Sequence, residues 1–92
     1  MEPIKSTADF LGEREQNLSA KAYDAMLQML ISRELPANTV LQERRLAELL
    51  NISRTPVRDA LTRLENEGLI SRTAGRTLVV RQFSLRELIE TL

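Results

Sequence analysis

Residues 46–70 read LAELLNISRTPVRDALTRLENEGLI, and the spacing of their apolar positions decides the fold. Leu46, Ala47, Leu49 and Leu50 predict a helix that begins near Gln42. It stops at Asn51, a residue type that tolerates left-handed backbone. A second helix follows at once: Ser53 or Thr55 can cap it, Pro56 is tolerated in its first turn, and Gly68 ends it. Two short helices joined by Leu50-Asn51-Ile52-Ser53 are a helix-turn-helix candidate, at about residues 43–62.

The second of these helices sorts its residues by chemistry. At ~100° per residue, with Arg54 at zero, Val57, Ala60, Leu61 and Leu64 fall between about 240° and 340°. Arg54, Thr55, Arg58 and Thr62 fall between about 0° and 100° on the same wheel. Arg54 and Arg58 therefore share one exposed face at the amino-terminal half. A recognition helix enters the DNA major groove with that half, and a guanidinium matches the guanine O6/N7 edge. Ser53 and Thr55, with the open amides of the first turn, suit phosphate oxygens. Each part also has a plainer explanation: a solvated face, an ordinary helix start, or pairing of Arg58 with Asp59 or Glu65 on its own helix.

Outward from this stretch the pattern continues. Leu18 and Ser19 read as the start of an earlier helix, with Leu18 and Tyr23 as its hydrophobic staple, and residues 1–17 as a flexible arm. Ala22, Tyr23, Met26, Leu27, Leu30 and Ile31 carry that helix to about Arg33. Pro36-Ala37-Asn38 is turn chemistry, and Val40-Leu41 is either a short strand or a core plug. Leu69–Arg72 and Thr77–Arg81 are strand-like runs around Thr73-Ala74-Gly75-Arg76, a hairpin at about 69–82. Ser84-Leu85-Arg86-Glu87 is a capping box flanked by Phe83 and Leu88, so 84–92 reads as the start of a fourth, linker helix cut from a longer protein. The expected fold is mainly α with a small β wing: a winged helix-turn-helix of three helices and a two-stranded hairpin over 18–83. Tyr23, Leu27, Leu30, Leu46, Leu49, Val57, Leu61, Leu64, Ile70 and Val79 are its expected core.

Composition narrows the function. The 92 residues fit one small domain, and 42% apolar content is that of a globular chain. The chain has no cysteine and no histidine, and it lacks a phosphate-binding glycine loop, so no catalytic set, cofactor site or metal site is expected. No apolar run suits a membrane span or a signal peptide, which points to the cytoplasm. The formal net charge of zero hides a block from Arg44 to Arg81 with eight arginines against four acids. An all-arginine block suits a phosphate-binding surface. The rival use, a protein–protein module without nucleic acid, would put apolar or aromatic anchors at the centre of its surface.

The stretch Leu46–Ile70 resembles the signature of the GntR family of bacterial transcription regulators nearly end to end, and the likeness covers about residues 18–84. Thr55-Pro56-Val57-Arg58 is similar to the FadR/VanR branch more than to branches with sugar-sensing or aminotransferase-like domains. The resemblance implies DNA contacts from Arg44 on the first helix of the pair and from Ser53, Arg54, Thr55 and Arg58 on the second. Gly75 and Arg76 would add contacts from the wing, in the adjacent minor groove. It also implies a metabolite-responsive repressor on a palindromic operator, with an absent C-terminal domain that dimerises and binds a small-molecule effector. Three positions depart from the pattern. Asn38 and Asn51 stand where glycine is common, and Gly75 precedes Arg76 where many members have the reverse order.

Overall fold

The computed structural model describes residues 7–82 and Glu90 and, within its first helix, the side chains of Arg14 and of Gln16 onward. The order is α1 (Thr7–Ile31), β1 (Val40–Leu41), α2 (Glu43–Leu50), α3 (Arg54–Asn66), β2 (Ile70–Arg72) and β3 (Leu78–Val80). The fourth helix expected over 84–92 lies outside the described residues, apart from Glu90.

Helix α1 begins at Thr7, not at Ser19, so the arm expected over 1–17 is helical from Thr7 onward. Ala8, Leu11, Glu13, Arg14, Glu15 and Gln16 are good helix formers, and extending a nucleated helix costs far less than starting one. Ser19 is consequently mid-helix, and its hydroxyl donates to Asp59 Oδ2 on α3 at 3.4 Å instead of capping. The buried stripe of α1 is Ala22, Tyr23, Met26, Leu27 and Leu30, and it packs mainly on α3.

Left-handed residues set the ends of α2 and α3. Asn51 (φ 56, ψ 46) closes α2, with Asn51 N–H donating to Glu48 O and Ile52 N–H to Ala47 O. Gly68 (φ 81) closes α3 in the same way, with Gly68 N–H on Glu65 O and Leu69 N–H on Leu64 O. These paired bonds satisfy carbonyls that a helix end leaves open. Asn38, the other asparagine at a glycine position, also takes positive φ (71).

The sheet has three antiparallel strands in the order β1-β3-β2, one more than the hairpin alone. Val40-Leu41 is both strand and plug: it pairs with Val79 and Leu78, and Leu41 is buried. Asn38 N–H to Val80 O (2.8 Å) and Val80 N–H to Thr39 O (2.9 Å) continue this ladder into the preceding turn.

Two core expectations need correction. Leu49 is 66% exposed, because the inward face of α2 is centred on Leu46 and Ala47, with Leu50 half-buried beside them. Val80, not Val79, is the buried member of β3; it stands opposite Ile70, whereas Val79 stands opposite Ser71 and Val40. The other eight expected core residues are buried, and Pro56 and Val57 rank among the most enclosed side chains.

Candidate nucleic-acid interface

Helix α3 is fixed from beneath by Val57, Ala60, Leu61 and Leu64, all buried, so the direction of its opposite face is set by packing. Arg54 and Arg58 stand on that face with side chains 61% and 63% exposed, as the wheel requires. Ser53 occupies the N-cap position in extended backbone (φ −70, ψ 167), but its hydroxyl makes no capping hydrogen bond. The amino end of α3 therefore presents the Ser53 hydroxyl and its first-turn amides outward, and Thr55 is exposed beside them.

Arg44 lies on α2, and one open groove is lined by Arg44, Ala47, Glu48, Asn51, Ile52, Ser53 and Arg54. That groove brings Arg44 to the mouth of the helix-turn-helix, next to Ser53 and Arg54. Its side chain is 80% exposed and pairs only loosely with Glu48 one turn on, Nε to Oε1 at 3.4 Å. An exposed pair of this kind is worth little in stability and leaves the arginine available.

The partner of Arg54 and Arg58 is neither Asp59 nor Glu65. It is Glu43, in the first turn of α2. Arg58 donates from Nε to Oε2 at 3.0 Å and from Nη2 to Oε1 at 2.9 Å. Arg54 donates from Nε to Oε1 at 3.1 Å. The Glu43 carboxyl is held below its ordinary range, chiefly by the hydrogen bonds from Arg58, with the one from Arg54 adding to them. Reading along the chain misses this residue because the bonds span eleven and fifteen positions. The available signal was an acid at the start of one helix, facing a basic amino-terminal half on the next.

Other arginines of the basic block hold the fold. Arg72 fastens β2 to α3 by donating to Glu65 (3.2 Å) and reaches across the wing to Arg76 O (3.3 Å). Arg81 donates to Gly68 O at 2.8 Å. Arg63 lies over the Tyr23 ring, 3.7 Å from its centroid. Local excess of positive charge thus splits into fasteners and outward-facing groups.

Gly75 and Arg76 sit on the wing turn, apart from the α2–α3 cluster. Thr73 N–H to Thr77 O (2.8 Å), Arg76 N–H to Thr73 O (2.9 Å) and Thr77 N–H to Thr73 Oγ1 (3.2 Å) fix the turn. Arg76, not Gly75, takes the left-handed position (φ 64). A Cβ at Gly75 would find Thr73 Oγ1 at 3.9 Å, an ordinary contact, so the fold does not demand glycine there.

Among known proteins, residues 18–80 match the family described as "Bacterial regulatory proteins, gntR family". The chain is 36% identical over 69 residues to the HTH-type transcriptional regulator Mce2R of Mycobacterium tuberculosis, and to an uncharacterized HTH-type transcriptional regulator of Mycobacterium bovis. Each alignment covers 74% of this chain and 29% of the relative, so the chain spans under a third of their length. A GntR-family transcriptional regulator from Pseudomonas syringae superposes with a TM-score of 0.67 at 27% identity, over 79% of this chain and 31% of that one. YtrA from Sulfolobus acidocaldarius, a GntR-family transcription factor, gives 0.63 at 25% identity, over 78% and 77%. Three helices with a small antiparallel sheet are the winged helix arrangement these structures share.

Proposed function

The chain belongs to the GntR family of bacterial regulatory proteins and carries its helix-turn-helix DNA-binding domain, and from that premise we propose that it reads a specific operator with α3 in the major groove. One observation carries the reading: Arg54 and Arg58 stand outward, side by side, on the amino-terminal half of a helix whose other face is locked in the core. Arg44, Ser53 and Thr55 surround that pair and supply phosphate contacts, and Gly75 and Arg76 place the wing turn in the adjacent minor groove.

The whole protein is a cytoplasmic, metabolite-responsive repressor. It binds a palindromic site as a homodimer through a C-terminal domain that also takes the effector. The greater length of the relatives and the family's regulatory character support this part. A protein–protein role is the poorer reading, because the centre of the exposed surface is arginine instead of an apolar anchor.

Gel-shift titration of Arg54→Ala, Arg58→Ala and Arg44→Ala at two salt concentrations tests the reading. Loss of a base-reading arginine costs roughly 1–3 kcal/mol and relaxes the sequence preference at one operator position. Loss of Arg44, if it holds phosphate alone, weakens specific and random DNA about equally and shrinks the salt slope by roughly one unit. Unchanged DNA binding in both α3 variants, with the fold intact, sinks the assignment.

A further inference from the structure

Glu43 is an acid placed beneath a surface whose partner is a polyanion, and that placement calls for an explanation. An acid in the first turn of α2 complements the helix dipole, but the dipole alone does not require the side chain to reach across to α3. Here the Glu43 side chain is mostly covered, 21% exposed, and both of its carboxylate oxygens accept from the two guanidinium groups. Resting on the operator-reading function above, we propose that Glu43 is a positioning residue that sets the specificity of this surface. It orders Arg54 and Arg58 before DNA arrives, and it withholds one of their two positive charges from the phosphate backbone.

The choice of nitrogen atoms supports the first half. Arg58 gives Glu43 its Nε–Nη2 edge, which leaves the Nη1–Nη2 edge pointing away, and that edge can meet guanine O6 and N7 in two parallel bonds. Arg54 uses Nε alone, so its terminal nitrogens are likewise spared by this bond. Two long side chains thus lose much of their rotamer freedom on folding rather than on binding, which favours the one arrangement that fits a base edge. The second half follows from charge. Two arginines and one carboxylate present a net charge of one, so the cluster attracts random phosphate less than two bare arginines would.

The test begins with duplexes enriched from a random pool by the wild-type chain. Affinity for the enriched duplex and for random DNA, its salt dependence, and the melting midpoint are then measured for Glu43→Gln and Glu43→Asp. In Glu43→Gln the ratio of specific to random affinity falls about tenfold, random DNA binds more tightly, and the salt slope steepens by about one unit. Glu43→Asp keeps the charge but is one carbon too short to span both arginines, so its ratio falls while its salt slope stays that of wild type. Both variants melt close to wild type, since the two arginine partners are more than half exposed and pairs open to solvent on that side add little to stability. An unchanged ratio in Glu43→Gln overturns the proposal and leaves operator reading standing. So does an equal loss on both DNAs with a lowered melting midpoint, which marks a merely structural role. If the wild-type chain enriches no sequence at all, neither alone nor joined into a dimer, operator reading itself falls, and the role of Glu43 with it.

Discussion

At Arg76 the wing turn demands a left-handed backbone (φ 64) from a residue that carries a Cβ. That conformation costs a side-chain-bearing residue roughly 1–2 kcal/mol and glycine almost nothing. Its neighbour Gly75 has the freedom and no positive φ to spend it on. Arg76→Gly is therefore expected to raise the melting midpoint modestly, by up to about 1 kcal/mol of stability once the entropy of the new glycine is counted. Gly75→Ala is expected to leave thermal unfolding unchanged, because the added methyl meets only Thr73 Oγ1 at 3.9 Å. If Gly75→Ala nonetheless weakens DNA binding, close approach of DNA to the wing backbone is the reason for the glycine. A drop in melting for Arg76→Gly would contradict the strain argument. The same chemistry made other residues legible in sequence: Asn38, Asn51 and Gly68 were readable because few residue types accept positive φ. Glu43 was not, since nothing local ties it to Arg54 and Arg58.

At the scale of elements, periodicity was informative where apolar residues were sparse and ambiguous where they ran together. In α3 four apolar positions among charged ones leave a single solution, and it is the observed one. In α2, Leu46, Ala47, Leu49 and Leu50 form too wide an arc for a short helix to bury, and packing on α3 selects the Leu46–Ala47 side. In β3 the unbroken run Leu78-Val79-Val80 carries no parity, and only pairing with Ile70 and Leu41 decides which face turns inward. The start of α1 was missed for a different reason, because residues 7–17 have helix propensity without an amphipathic period. These differences predict opposite outcomes for two leucines one turn apart. Leu46→Ala removes a side chain only 5% exposed and is expected to cost about 2–5 kcal/mol. Leu49→Lys alters a side chain 66% exposed and is expected to change stability by less than about 0.5 kcal/mol. Denaturant unfolding of both variants checks the pair, and a large cost at Leu49 would mean that α2 turns another face to the core.

Across the whole molecule, the surface proposed to meet DNA is only as rigid as the seating of α3 on α1, and that seating includes a polar latch at Tyr23. Tyr23, the single tyrosine of the chain, is buried (3% exposed) and donates its hydroxyl to Glu67 Oε2 at 3.0 Å. Arg63 covers the ring and lies 3.7 Å from Glu67 Oε1, a buried oxygen without a hydrogen bond among the described residues. Burial, first, and then the bond to Glu67 push the Tyr23 hydroxyl up to about 12 from its ordinary value of 10.0. The folded chain thus binds this proton more tightly than the unfolded chain. The corresponding stability is complete below pH 10.0 and is lost as pH rises through about 12. Melting is therefore expected to fall across that alkaline window in wild type and to fall less steeply in Tyr23→Phe, which has no hydroxyl to ionise. With one tyrosine present, tyrosinate absorbance reports the titration of this site alone. Glu67→Gln, which removes the facing carboxylate, is expected to bring that midpoint down toward 10.0. A wild-type titration at the ordinary tyrosine value in the folded chain would show that the hydroxyl is neither buried nor bonded to Glu67 in solution.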